Sequence, residues 1–271
     1  MTTTHTLTCP GDTTVSIDFP DPRPGPATFV VAGHKTGSVL LNRIIDDLAA
    51  LTGLPVVRVE EVLWRGGLKI KDWPQQIFDL MEQPGLVYTS FRDLQRLGEL
   101  TSFQTGRRIF MIRDPRDVAV SYFFSMSKSH VIPEGGAARE DMLRMRDAAA
   151  QSDLDSFIQR GMANNVLRNI QSFAQYLGTP DTVFYKYEDI IFAKEPWVAQ
   201  IAADLGISVP QDDIARIARR HDIIPEQENP NAHIRSVKPG GWREKLSPQS
   251  VAFIEEKFPL FFEKYGYGRE S

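Results

Sequence analysis

Cysteine is almost missing from this chain of 271 residues: Cys9 is the only one. A single thiol excludes an internal disulfide and a cysteine-built metal cage, and it points to a reducing, cytoplasmic compartment. Histidine is scarce as well. The five histidines, at positions 5, 34, 130, 221 and 233, are scattered and give no metal-ligand spacing, so no metal is expected. No apolar run is long enough to span a bilayer. The opening MTTTHTLTCPGDTT has no hydrophobic segment, so neither a membrane anchor nor a secretory leader is expected. Charge of one sign is not in excess either. A net charge of −4 gives nucleic acid no global attraction, and any anion site must be local.

The chain has length and apolar content for a full core. Residues 1–26, rich in Thr, Pro and Gly, read as an irregular approach to a single domain over 27–271. ATFVVAG is a short, wholly apolar strand of the kind buried on both faces of a parallel sheet. VLLNRIIDDLAALTG has helical period and stops at Gly53. LPVVRVE, GLVYTS, RRIFMIRD and DTVFYKYED are further strand candidates. Helical patterns lie over WPQQIFDLMEQ, from Pro115, over about 154–177 and over about 247–265. Strands alternating with helices define a doubly wound α/β fold with a mainly parallel central sheet. Two polar stretches, 128–141 and 223–245, look less regular. The second is long for a compact domain and reads as a lid or binding loop.

Two strand ends carry anion chemistry. After the first apolar strand comes GHKTGS and then a helix, a P-loop-like turn. Backbone N–H groups and the helix dipole favour an anion there; Gly37 allows close approach, Ser38 adds a hydroxyl and Lys35 a mobile charge. The spacing is not that of a nucleoside triphosphatase loop, because the lysine precedes the second glycine. A surface lysine on a plain strand–turn–helix is the bland alternative. The second motif is RDPRDVAVS, residues 113–121. Arg113 falls at the carboxyl end of its strand, where open α/β sheets bind ligands, and Ser121 lies about two helical turns on. Here the bland alternative is a structural arginine paired with Asp114, Asp117 or Glu188.

Together the motifs resemble the PAPS-dependent sulfotransferase family. PAPS is 3′-phosphoadenosine 5′-phosphosulfate; its product, adenosine 3′,5′-bisphosphate, is PAP. HKTGSV is similar to the family's 5′-phosphosulfate loop, P-K-[ST]-G-[ST]-[ST]. RDPRDVAVS matches every specified position of its 3′-phosphate motif, R-[DN]-P-[RK]-D-x-x-x-S. YKYEDI is similar to a later Y-E-D, and RSVKPGGWREKLS to R-K-G-x-x-G-D-W-K-x-x-F-[ST]. The likeness runs from about residue 28 to the C-terminus. It implies PAPS as sulfuryl donor, no metal, and an acceptor that is a small molecule, lipid or carbohydrate. Lys35 then assists departure of the phosphoadenosine. Thr36, Gly37, Ser38 and Val39 hold the 5′-phosphate, Arg113 and Ser121 the 3′-phosphate. Arg235 closes over the 3′-phosphate with Ser236 and Val237 beside it, and Tyr187 sits near the adenine.

The chain departs from the family at several points. Val39 replaces a hydroxyl residue, Leu40 an adenine-stacking tryptophan, and Ser236-Val237 a Lys-Gly pair. The dimer signature of some animal members is degraded in REKLSPQSVA, so no oligomeric state is predicted. Ser90 stands where cytosolic animal members carry the histidine of K-T-H. Glu60 and Glu61 are the substitute bases, with His130 and Asp93 in reserve; His34 reads as structural or near the donor. If the strand VVRVE stays extended, the two glutamates point to opposite sides, and Glu61, away from Arg58, is favoured. Trp64, Trp73, Tyr122, Phe123 and Phe124 could line an acceptor pocket, but such aromatics more often build core. The absence of an anchor or leader argues against an enzyme of secreted glycans. Two other readings remain: a nucleotide-binding protein without catalysis, and a P-loop small-molecule kinase.

Overall fold

The computed structural model describes residues 2–9, 13–129, 132, 136–225 and 236–270. Five apolar segments pair in parallel: β3 (Thr28–Ala32), β4 (Val56–Val57), β5 (Val87–Phe91), β6 (Arg107–Ile112) and β7 (Thr182–Lys186), in the order β4-β5-β3-β6-β7. The chain leaves β3 toward β4 and β5 on one side, then crosses to β6 and β7 on the other. The switch point therefore lies between the carboxyl ends of β3 and β6, which pair from Thr28–Arg107 to Ala32–Met111.

Alternation along these strands builds two cores. Phe29, Val31, Phe110 and Ile112 face one cluster, while Val30, Ala32, Ile109 and Met111 face the other. Helix α1 (Ser38–Thr52) packs Leu41, Ile44, Ile45 and Leu48 into the second cluster. Helix α2 (Val59–Arg65) sets Val59 and Leu63 into the first. The sheet is covered on both faces, as a parallel sheet must be.

The structure corrects several sequence expectations. Within 1–26, residues 2–9 and 13–20 are paired strands, and of the described residues only 21–26 are irregular as expected. β1 (Thr2–Cys9) and β2 (Thr13–Pro20) form an antiparallel hairpin whose Leu7, Cys9, Val15, Ile17 and Phe19 join the first core. Their apolar alternation is masked in sequence by threonines on the outward face. The strand VVRVE stops at Val57, and the acids Glu60 and Glu61 begin α2 with Arg65 in its last turn, the charge order that a helix dipole favours. The helical stretch 154–177 breaks at Gly161 into Leu154–Gln159 and Asn164–Ser172, and the last one breaks at Pro259 into Pro248–Lys257 and Leu260–Glu263. Within 128–141 a helix begins, running Gly136–Ala150. In the loop 223–245, residues 226–235 lie outside the described residues. Among the described residues no helix is long and apolar enough to cross a membrane.

A buried ion network fixes the helix that follows β6, Pro115–Phe124. Arg116, 2% exposed, binds Asp114 (2.9 and 2.7 Å), Glu255 (2.7 Å) and the Gly268 carbonyl (2.9 Å). Replacing Arg116 by Met should leave two buried carboxylates unmatched and cost about 3–5 kcal/mol. A loss of unfolding free energy of that size, read from urea melts as a lowered midpoint, is the expected result; an unchanged midpoint would remove the network from the list of structural anchors.

Candidate active site

The turn after β3 is held by its own residues. Thr36, fully buried, donates from Oγ1 to the Gly33 carbonyl at 2.8 Å. Gly33 has no room for a side chain: a Cβ there would lie 2.3 Å from Ile170. Lys35 adopts φ 66, a left-handed conformation that non-glycine residues seldom take, so the turn is backbone under constraint. Gly37 caps α1 at φ 99, and a Cβ there would meet Met111 at 2.6 Å and Tyr187 at 3.0 Å. Gly37 offers no capping side chain to the first-turn N–H groups of α1, the kind of helix start that accepts an anion. Ser38 is buried at that end, while Val39 and Leu40 are half-buried.

The second motif meets this turn from the neighbouring strand. Arg113, 6% exposed, donates from Nη1 to the Lys35 carbonyl at 3.3 Å, and its guanidinium lies 4.2 Å over the Tyr187 ring. Tyr187, the first residue after β7, donates its hydroxyl to the Val237 carbonyl at 3.0 Å. Burial pushes its phenol upward, against the Arg113 charge. Lys35, Gly37, Arg113, Tyr187 and Val237 thus form one linked group, with Ser121 half-buried on the helix behind and Ser236 half-buried before Val237. Arg235 and His130 lie outside the described residues.

The acids around Arg113 each hold other partners as well. Asp114 pairs with Arg116 at 2.7 Å. Glu188 accepts from the Asp114 N–H at 2.9 Å and from the Tyr267 hydroxyl at 3.0 Å. Asp117 accepts the N–H groups of Gly240 (2.6 Å) and Trp242 (3.1 Å) and stays 3.7 Å from Arg113. The Arg113 Nε is buried with no hydrogen-bond partner among the described residues. A buried guanidinium with an unmet donor fits an incoming phosphate.

The glutamates differ from the sequence expectation. Because residues 59–65 are helical, Glu61 comes round to Arg58 (2.9 Å) and also binds Arg65 (2.6 Å). Arg58 further pairs with Asp46. The argument that favoured Glu61, its separation from Arg58, therefore fails. Glu60 accepts the Arg92 N–H at 2.8 Å, just past the end of β5, and Arg92 reaches the Ala32 carbonyl at 3.4 Å, beside the phosphate turn. Burial pushes Glu60 up to about 8, helped by the Asp93 charge and opposed by the Arg92 charge and its N–H bond. Asp93 is raised by burial too, against hydrogen bonds from Gln95, and Asn169 donates to it at 3.3 Å. Ser90 is buried at φ 76 and accepts from Asn42 at 3.1 Å. His34 has its ring 6.3 Å from that of Tyr122. Trp73 is core, and Tyr122, Phe123 and Phe124 pack onto core clusters. No group of three or more potential metal ligands occurs among the described residues.

These features define an α/β fold in which a P-loop-like turn and a buried arginine meet at adjacent strand ends of a parallel sheet. The sulfotransferase domain model matches residues 26–265, and the chain belongs to that family. Sulfotransferase 1A1 of Bos taurus is 25% identical over 141 residues, which span 49% of this chain and 42% of that protein. The fold is similar to that of mouse sulfotransferase SULT7A1 complexed with PAP, with a TM-score of 0.61 and 17% identity over 92% of this chain and 87% of that one. It is also similar to retinol dehydratase in complex with androsterone and inactive cofactor PAP, with a TM-score of 0.53 and 16% identity over 98% and 92%.

Glu60 makes stability depend on pH. Its folded pKa is raised from 4.5 to about 8, so the folded state holds the proton more tightly than the unfolded chain. The contribution is complete below 4.5 and is lost as pH rises toward about 8. Glu60→Gln should flatten that decline in a series of denaturant melts from acid to mildly alkaline pH. Parallel curves for both proteins would show that the carboxyl is not perturbed.

Proposed function

We propose that this protein is a PAPS-dependent sulfotransferase that moves a sulfuryl group to a hydroxyl or amine of a small-molecule, lipid or carbohydrate acceptor. The observation that carries the donor assignment is Arg113: buried, with Nε unpartnered, and tied to the carbonyl of Lys35 in the neighbouring loop. A donor with separate 5′ and 3′ phosphates suits two such loops at one switch point. Gly37, Ser38 and the uncapped start of α1 take the 5′-phosphate. Arg113 and Ser121 take the 3′-phosphate, and Tyr187 borders the adenosine. Thr36 holds the turn, and Ser236-Val237 bring the late segment against it. The single cysteine suits a reducing, cytoplasmic setting.

In the transfer, the bond from sulfur to the bridging phosphate oxygen breaks while a bond forms from sulfur to the acceptor oxygen or nitrogen. Negative charge grows on the leaving oxygen, where the Lys35 ammonium and the α1 N–H groups stabilise it. The acceptor proton goes to Glu60, whose carboxylate is held near the turn through Arg92 and has a proton affinity suited to a general base near neutral pH. Asp93 is the reserve acid in the same neighbourhood.

Lys35→Ala should lower turnover more than it lowers PAP affinity, since the charge it meets develops only in the transition state. Single-turnover rates with calorimetric affinities measure both; unchanged turnover with weaker binding would make Lys35 a ground-state anchor. Arg113→Ala should weaken PAP by about 1.5–3 kcal/mol and leave adenosine 5′-monophosphate nearly unaffected. Equal losses on both ligands would assign Arg113 a structural role. Glu60→Gln should abolish transfer in an acceptor panel while PAP still binds. Retained turnover would pass the base to Asp93, and PAP binding by the wild type without transfer to any acceptor would favour a non-catalytic binder.

A further inference from the structure

The late segment Gly240–Trp242 has no sequence counterpart to a phosphate ligand, yet it is fastened to the 3′-phosphate motif. Its fastening is Asp117, 3% exposed, whose two oxygens take the N–H groups of Gly240 and Trp242. Trp242, 1% exposed, sits with Val120 and Val251, under the guanidinium of Arg116 at 3.9 Å. The same carboxylate is one helical turn from Arg113 and could pair with it directly. In place of a hydrogen-bonded pair it makes a long ion pair at 3.7 Å, beyond hydrogen-bond distance.

A buried carboxylate this close to a buried guanidinium would ordinarily form a short, bidentate pair, the strongest arrangement open to both. Two backbone donors hold Asp117 as well, and the oxygen that takes the Gly240 N–H is the one nearest Arg113. The remaining acids near Arg113 are treated alike: Asp114 is held by Arg116, and Glu188 by the Asp114 N–H and Tyr267. The outcome is a guanidinium surrounded by acids, none of which saturates it.

We propose that the segment Gly240–Trp242 is a spacer that holds Asp117 off Arg113, so that the 3′-phosphate arginine stays available to the donor. The role rests on the assignment of Arg113 to the 3′-phosphate. Asp117 and Trp242 are positioning residues. When the Trp242 plug is loosened, Asp117 loses its two N–H partners and turns onto Arg113, and the 3′ subsite closes by internal pairing.

The test is the preference for PAP over adenosine 5′-monophosphate, read by calorimetry on the folded variants. Trp242→Leu should cut that preference about tenfold or more, the equivalent of one charge-assisted hydrogen bond. Adding Asp117→Asn to Trp242→Leu should restore it to within about threefold of wild type, a coupling that a merely structural tryptophan does not produce. Asp117→Asn alone should keep or raise the preference. If Trp242→Leu does not fold, Trp242→Phe, a smaller aromatic plug under Arg116, is paired with Asp117→Asn in its place. The spacer is overturned if the single variant keeps its preference, if the double stays as low as the single, or if Asp117→Asn alone loses it. A wild-type protein with no preference for PAP would instead overturn the donor assignment on which the spacer rests.

Discussion

A buried guanidinium without a full acid partner is the constraint around which this site is arranged. Arg113 is expensive to bury unless something meets its charge. The protein meets it only in part, with the Lys35 carbonyl, the face of Tyr187 and a long ion pair to Asp117 at 3.7 Å. The surrounding residues are placed accordingly. Gly37 must lack a side chain because Met111 and Tyr187 crowd it, and Tyr187 must be there because its ring carries the arginine. β3 and β6 must be neighbours because one supplies the turn and the other the arginine.

The proposed donor and acid groups come from opposite faces of the sheet. Tyr187 and α1 belong to the core cluster of Val30 and Ala32. Glu60 rises from α2, whose Val59 and Leu63 belong to the cluster of Phe29 and Val31. The phosphate turn lies between them, with Gly33 against Ile170 on the α2 side and Gly37 against Tyr187 on the other.

The departures from the family pattern fall where the fold can absorb them. Leu40, in place of a stacking tryptophan, packs partly on the second core instead. Val237, in place of glycine, is buried and offers its carbonyl to Tyr187, so its backbone is engaged with the ring that supports Arg113. Ser90, in place of a histidine, is turned to Asn42 at positive φ.

Local pattern determined much of this protein. The apolar strands before Gly33 and Arg113, the helices after them and the two anion motifs are legible because each is short, contiguous and of fixed spacing. The parallel sheet follows from their alternation. The N-terminal hairpin was hidden because its threonines lower the apparent hydrophobicity of strands whose alternate residues are core. The glutamates were misread because Val59, Glu60 and Glu61 fit a strand or a first helical turn equally well. Helix there brings Glu61 to Arg58 and Arg65 and leaves Glu60 to the Arg92 N–H. The hold of Asp117 on Gly240 and Trp242 spans more than a hundred residues. No pattern within either segment announces it, because long-range pairing depends on which surfaces the folded core brings together. Sequence determined the chemistry available at each strand end; tertiary structure decided which charges neutralise one another and which are left for a ligand.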